Sequence, residues 1–397
     1  MITDKISAIG NSMNTRDVFK YVLVVAVIAF VGFFGFSSLG VERYSRDIVK
    51  QCATEKNSAA CYEREVPKLL STLPLQDVFG IIRAIRRADS SYQFCHVLGH
   101  KLGEAVVAKD PSRWFEALSQ GPSDSLCSNG FLHGVAVARF RAEVLDNEAI
   151  ENLISARACE PRKDWAPTPF DQATCYHGLG HLLFFVTDAD IPKALSFCER
   201  DESNDSRRLC REGVFMTLYQ PLEPDEFLLI ERMPVKPSAT TVRQYCARFE
   251  RDPNEGACLR ESWPYSRAGI MSGEGIGEFC KGQPNPAEED LCYGSVFSIV
   301  SRLSLGNLDG ARKSCSNAPQ VRRGMCYERV ALAIIEEDTS SGKKAVSFCG
   351  SVPEAYKTSC MEFLARRADF MFGNKAGRKS FCAMLPTELF ALCDGGR

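Results

Sequence analysis

The chain lacks the cysteine arrangement that structural zinc sites usually show. It contains 18 cysteines, but no two of them form a C-x2-C pair, the usual spacing of zinc ligands. The number is even and all of them follow residue 51, as expected for a set of disulfides. Disulfides persist in oxidising compartments. We therefore expect the body of the protein to face the periplasm, the cell exterior or another oxidising space.

Several other signatures are missing. Lys and Arg number 48 against 50 Asp and Glu, so the chain lacks the basic excess of a nucleic-acid-binding protein. The C-x-x-C-H motif of covalent haem attachment, the G-x-S-x-G elbow and the H-E-x-x-H motif do not occur. The glycine-rich segment 272–278 lacks the P-loop lysine. We interpret that segment as a loop.

One long apolar run is present. Residues 21–39 contain no charged side chain, and about 20 apolar residues suffice for a helix to span a bilayer. This run predicts a retained transmembrane anchor, with residues 1–20 as a cytoplasmic tail. The alternative is a cleaved signal peptide, since Ser38 and Gly40 are small residues suited to a cleavage site.

The cysteines follow a ladder. From Cys246 onward, pairs 11 or 12 residues apart return every 33 to 35 residues, a period typical of stacked helical hairpins. Extending this template towards the N-terminus gives every cysteine a partner. The nine predicted pairs are Cys52–Cys61, Cys95–Cys127, Cys159–Cys175, Cys198–Cys210, Cys246–Cys258, Cys280–Cys292, Cys315–Cys326, Cys349–Cys360 and Cys382–Cys393.

Prolines mark where the longer helices begin. Pro253, Pro286, Pro319, Pro353 and Pro386 each stand five to seven residues before the second cysteine of a pair. Proline suits the first turn of a helix, where its missing N–H is not needed. We therefore predict that the second cysteine lies in the second turn of a long helix, and the first cysteine near the end of a shorter helix before it.

These patterns predict an all-α fold: a solenoid of α-α hairpin repeats, stapled by disulfides and preceded by one transmembrane helix. The proline-rich stretch 219–241 interrupts the ladder and is predicted to be a linker or long loop. It separates a histidine-bearing helical block, 45–218, from a more regular disulfide block, 242–397.

All five histidines lie in the first block, each shortly after a cysteine. His96 and His100, and likewise His177 and His181, stand four apart in H-x-L-G-H segments, so both imidazoles of a pair share one helix face. His133 follows Cys127 by six residues, as His181 follows Cys175. Stacked helices would bring these positions together.

The five histidines therefore predict a metal site, and Glu104 extends the row of His96 and His100 by one more turn. Imidazole ligands suit Zn, Cu, Fe or Ni. Bis-histidine haem b is a less favoured possibility. Two readings compete with ligation: the histidines as a hydrogen-bonded polar core, and Glu104 as a solvated helix-face residue.

In its repeat length of about 34 residues and its hairpin layout, the stretch from Cys159 to Cys393 resembles tetratricopeptide repeats and their Sel-like relatives. The Trp-Leu-Gly-Tyr pattern of tetratricopeptide repeats is missing, so the resemblance is one of architecture and carries over no functional residues. It implies a concave surface that binds a protein partner.

We therefore expect a membrane-anchored, extracytoplasmic helical-repeat protein that binds a protein partner and carries a multi-histidine metal site. One alternative is a pure scaffold subunit of a membrane or envelope assembly, with structural histidines. The other is a metal-dependent hydrolase or oxidoreductase that uses an open coordination position.

Overall fold

The computed structural model describes residues 40–395, except 123, 125, 141–143, 156, 164, 202, 222, 223, 250, 251 and 374. Within this range the chain forms helices and no β-strand, which confirms the all-α prediction. The predicted tail and anchor, residues 1–39, lie outside the described residues. None of the described helices is both long enough and apolar enough to span a bilayer.

The helices have the following bounds. They are α1 (40–52), α2 (Ser58–Glu65), α3 (Leu75–Ala88), α4 (His96–Lys109), α5 (Trp114–Ala117), α6 (Gly130–Phe140), α7 (Asn147–Ser155), α8 (Pro169–Val186), α9 (Ile191–Cys198), α10 (Asn204–Tyr219), α11 (Pro224–Arg232), α12 (Val242–Cys246), α13 (Asp252–Glu261), α14 (Arg267–Ser272), α15 (Ile276–Cys280), α16 (Pro286–Leu303), α17 (Leu308–Asn317), α18 (Arg323–Glu337), α19 (Gly342–Ser351), α20 (Glu354–Met371), α21 (Lys375–Cys382) and α22 (Phe390–Cys393).

The chain divides into two compact units between Asp89 and Ser90. In the first unit, the amphipathic helix α3 buries an apolar face that includes Ile81 and Ile85. The second unit contains all five histidines, the predicted linker and the predicted C-terminal block. The candidate site therefore lies within the second unit alone.

Nine disulfides are present, and they join the nine predicted pairs. From Cys198 to Cys360 each bridge connects a short helix to the longer helix that follows it. The last bridge instead joins α21 to the four-residue helix α22, so the prediction that the second cysteine lies in the second turn of a long helix is wrong for Cys393. In the loop-entropy description, closing a loop of about 12 residues contributes roughly 3 kcal/mol to folding. This many disulfides indicates an oxidising compartment.

The predicted helix start is confirmed at Pro286, the first residue of α16, whereas α18 and α22 begin four residues after Pro319 and Pro386 because a short 3-10 turn comes first. Asn285 caps α16 by accepting a hydrogen bond from the backbone N–H of Glu288 at 3.0 Å. Thr168 and Asp171 form a reciprocal capping box at the start of α8. Such caps satisfy N–H groups that have no partner inside the helix.

The Cys95–Cys127 bridge differs from this pattern: Cys127 does not lie in the second turn of a helix, and Cys95 does not lie near the end of one, so the prediction is wrong for both cysteines. Cys95 is the residue before α4, while Cys127, Ser128 and Asn129 have positive φ angles of 58°, 50° and 56°. This left-handed turn delays the start of α6 until Gly130. The bridge therefore ties together the first ends of two long helices instead of stapling one hairpin.

The predicted linker also contains a helix of its own, α11. Pro224 is its first residue, where a proline is well tolerated. Leu229 is buried, whereas Phe227 and Leu228 are exposed.

The long helices α4, α6, α8, α10, α13, α16, α18 and α20 each pack against the next in this order. The last helices of this row also contact the region where the first helices begin. The backbone N–H of Thr339, just after α18, donates to the carbonyl of Asp124 at 2.9 Å, and Phe370 of α20 stacks edge-on against Phe170 of α8. The late helices thus end against the starts of the early helices.

Candidate metal centre

Helices α4 and α6 touch through their backbones at glycines. A Cβ placed on Gly134 would lie 2.1 Å from the carbonyl oxygen of His100, and one on Gly130 would lie 2.2 Å from that of His96. Gly99 and Gly103 face α6 in the same way, with backbone atoms 2.8 Å and 2.4 Å from such a Cβ. Only glycine permits this approach, which brings side chains of the two helices into one small volume.

Three imidazoles converge there. His96 Nε2 lies 3.1 Å from His100 Nε2 and 3.2 Å from His133 Nδ1, and the latter two atoms are also 3.2 Å apart. We call these three residues the histidine triad. An ion about 2.0–2.1 Å from each nitrogen, the usual length of a zinc–imidazole bond, fits just above such a triangle. The triad can therefore hold a metal ion.

Backbone carbonyls fix the tautomers of two triad members. His96 Nδ1 lies 3.2 Å from the carbonyl of Cys127, and His133 Nε2 lies 2.9 Å from that of Thr174. A carbonyl only accepts, so these nitrogens carry the protons. His96 Nε2 and His133 Nδ1 consequently turn lone pairs towards each other, and either a proton on His100 Nε2 or a cation must lie between them. Carbonyl partners of this kind commonly orient metal-binding histidines.

The triad is buried, with His96, His100 and His133 each less than 9% exposed. Burial, helped by the positive charge of Arg302, lowers the pKa of His96 to about 4. Burial and the neighbouring imidazoles lower the pKa of His133 well below its ordinary value. Both rings are therefore neutral at physiological pH.

Glu337, at the end of α18, holds the turn that supports the triad. Its carboxylate accepts hydrogen bonds from the backbone N–H of Cys95 at 3.1 Å and from Ser128 Oγ at 2.6 Å. It also lies near the sulfurs of Cys95 and Cys127, but those atoms form a disulfide and offer no thiolate. Glu337 therefore fixes the left-handed turn whose Cys127 carbonyl orients His96.

The other three predicted ligands lie elsewhere. His177 stacks on the ring of His133 at 5.3 Å between centroids, and His181 lies 5.0 Å from His177, but neither belongs to the triad. Glu104 forms an ion pair with Lys101 at 3.5 Å. The structure therefore brings together three of the six predicted ligands and places two more histidines beside them.

Sequence reasoning missed two residues around the histidines. Met216 places its sulfur 3.2 Å from His177 Nε2; its signal was its position six residues after Cys210, as His133 stands six after Cys127. Glu337 is separated from Cys95 by 242 residues, and no local pattern connects them.

Comparisons with known proteins return no match: no protein-family model, curated protein or solved structure is similar to this chain.

Proposed function

We propose that this protein binds a transition-metal ion through the triad of His96, His100 and His133. The observation that carries this proposal is the pair of facing lone pairs in a buried site, held in place by two backbone carbonyls. In a purely structural core, each of the three facing ring nitrogens would need a hydrogen-bond partner. Three neutral imidazoles place only one proton among these nitrogens. A cation satisfies all three nitrogens at once.

Three imidazole nitrogens suit Zn, Cu or Fe ions. The three nitrogens approach from one side, 3.1–3.2 Å apart, whereas a haem iron offers its two axial positions on opposite faces of the porphyrin. This favours a bare ion over haem b.

A catalytic role is the second candidate. Three protein ligands leave a fourth position open, as in catalytic zinc sites. A cavity of about 390 Å³ beside these helices is lined by Trp114, Tyr176 and Leu179 among others, and no histidine of the described residues lines it. We therefore favour binding or storage over turnover. Metal-loaded protein should show no ester hydrolysis that depends on His133.

The proposed binding is tested by metal content. Full-length protein without a histidine tag is stripped with a chelator, reloaded with Zn²⁺ and analysed by mass spectrometry. We expect one tightly held equivalent in the wild type and a loss of at least tenfold in affinity for His100→Ala and His133→Ala. Glu104→Gln, one turn from His100, should bind like the wild type because Glu104 pairs with Lys101.

Each variant is first checked for its full set of disulfides and its helical content. Wild-type affinity in folded His100→Ala and His133→Ala would overturn the proposal. Lost affinity in Glu104→Gln would return Glu104 to the ligand set.

We also propose that the chain is anchored by residues 21–39, with the helical body in the oxidising compartment. Support comes from the charge-free run and the nine disulfides. Protease added to intact cells or spheroplasts should digest the body and leave a short membrane-bound fragment. Release of the intact body into the soluble fraction would support the cleaved-signal alternative instead.

The solenoid architecture, the Sel-like resemblance and the binding of a protein partner remain proposals. The order in which the long helices pack supports the proposed solenoid architecture. Because α18 and α20 end against the starts of α6 and α8, a partner would bind outside these contacts. Crosslinking in the native membrane would show whether a partner is present.

A further inference from the structure

A second group of metal-binding side chains lies beside the triad, on helices α8 and α10. It consists of His177, His181 and Met216. The triad does not use these residues, and its proposed function does not depend on them.

The second group repeats the construction of the first. The segments that begin at His96 and at His177 both read H-x-L-G-H. A Cβ on Gly213 would lie 2.0 Å from the carbonyl oxygen of His177, just as one on Gly130 meets His96. The two helix pairs therefore pack alike.

This correspondence identifies the counterpart of His133. His133 stands three residues after Gly130, and Met216 stands three residues after Gly213. Each contacts the first histidine of its segment, His133 through a nitrogen and Met216 through its sulfur. The second group repeats the sequence pattern and helix packing of the triad, with a thioether in place of one imidazole, and the rings of His177 and His181 lie 5.0 Å apart between centroids.

His177 directs a ring nitrogen at the sulfur. Its Nε2 lies 3.2 Å from Met216 Sδ. When Nδ1 carries the ring proton, both atoms offer a lone pair to an ion placed beside them. Ordinary packing of methionine on an aromatic ring does not require a nitrogen aimed at the sulfur.

His181 supplies a third unshared nitrogen. Its Nδ1 lies 2.9 Å from Thr217 Oγ1, and that hydroxyl donates to the carbonyl of Gly213 at 3.0 Å. His181 Nδ1 therefore carries the proton. The other nitrogen, Nε2, is buried and has no hydrogen-bond partner among the residues that the structure describes.

We propose that His177, Met216 and His181 form a second metal site, for a soft monovalent ion of the copper(I) class. Thioether sulfur and imidazole together select such ions over hard cations. His177 and Met216 are half-buried, whereas the triad is buried. The second site is thus the more accessible of the two, and an ion bound there lies beside the ring of His133.

The test uses methyl-labelled methionine in the full-length protein and Ag⁺, a diamagnetic ion with the preferences of copper(I). One equivalent of Ag⁺ should shift one methionine methyl resonance, which is identified because it is absent from Met216→Leu. This variant keeps the side-chain volume, so it should fold. We expect its affinity for Ag⁺, and for Cu⁺ in competition with a chelator, to fall at least tenfold.

Met325→Leu is the matched control, since Met325 is also half-buried, on α18, and packs against an apolar core. It should bind Ag⁺ like the wild type. His181→Ala should weaken Ag⁺ binding, while Zn²⁺ binding at the triad stays intact. An unshifted Met216 methyl, or wild-type Ag⁺ affinity in Met216→Leu, would overturn the second site. Failure of Zn²⁺ binding together with a shifted Met216 methyl would overturn the triad proposal alone.

Discussion

Two stretches of the second unit share one plan but have different interiors. We call residues 90–219 the histidine half and residues 276–395 the apolar half. Both contain a shorter helix joined by a disulfide to the longer helix that follows it, as at Cys198–Cys210 and at Cys349–Cys360. In the apolar half, the long helices meet through side chains such as Val296, Val330 and Leu364. In the histidine half they meet through apolar side chains such as Leu183 and Phe215, and also through glycine and imidazole.

The difference is clearest three residues after the second cysteine of each repeat. In the histidine half these positions are Gly130, Gly178 and Gly213. In the apolar half, after Cys292, Cys326 and Cys360, they are Ser295, Arg329 and Phe363. Glycine lets two helix backbones touch. Because it has no side chain, it also leaves room for metal-binding side chains that converge between the helices. The same repeat can therefore be either a packed core or a binding site, depending on a few small residues.

The largest effect should come from the bridge that is special to the histidine half. Replacing Cys95 and Cys127 by Ala opens a loop of 32 residues, which should cost about 4 kcal/mol of unfolding free energy, against about 3 kcal/mol for the 11-residue loop of Cys349 and Cys360. Denaturant unfolding measures both. Only the first variant should also lose Zn²⁺ affinity, and equal loss in both would contradict the comparison.

Glycine substitutions should act in opposite directions in the two halves. Gly134→Ala places a Cβ 2.1 Å from a backbone oxygen and should destabilise by about 3 kcal/mol. Gly294→Ala meets only the flexible end of Arg329, 3.4 Å away. It should be neutral or stabilise by up to about 1 kcal/mol, because Ala favours the helix. Thermal unfolding of both variants measures the change in stability. If Gly134→Ala is as stable as the wild type, the backbone contact is refuted.

Metal binding should stabilise one half selectively. With free Zn²⁺ at about 100 times its dissociation constant, the native state gains about 2.7 kcal/mol. Amide hydrogen exchange should slow in α4, α6 and α8, and change little in α16 and α18. In His133→Ala the Zn²⁺ effect should disappear. Uniform protection of both halves would show that the ion acts through the whole unit.

The pH dependence of stability should depend on α13, which connects the halves. Here the interior is charged: Arg260 bonds to Glu212 and Glu288, and burial, with the charge of Glu212, raises the pKa of Glu261 to about 8. A raised carboxyl pKa means that folding favours the protonated form. Its contribution is fully present below about pH 4.5 and is lost as the pH rises through about 8.

Glu261→Gln should therefore flatten the stability profile between about pH 5 and pH 8, because the amide cannot lose that proton. Urea unfolding at several pH values measures this, with the exposed Glu274→Gln as the control. If the unfolding free energy of Glu261→Gln falls with pH as steeply as that of the wild type, another group causes the pH dependence.

Much of the fold can be predicted from local sequence patterns. Cysteine spacing predicts the disulfide pairs, because each bridge from Cys198 onward joins helices that are neighbours in the chain. Asn285 and Thr168 act as caps through contacts within three residues. Such local interactions are visible in the sequence alone.

The rest depends on contacts between distant residues. The left-handed turn at Cys127 is held by Glu337, and Phe170 meets Phe370 only because the row of helices returns to its start. The division of the histidines into a triad and a second group also depends on where α6 begins, at Gly130. Counting residues from the preceding cysteine aligns His133 with His181, so it does not predict that these two histidines belong to different groups.

X-ray absorption at the zinc edge of the loaded full-length protein tests the convergence of the triad most directly. The triad predicts three imidazole nitrogens at about 2.0 Å from the metal, with clear multiple scattering from the rings. It also predicts a loss of that ordered shell in His133→Ala. A shell made of oxygen atoms, or one with a single imidazole, would contradict the account.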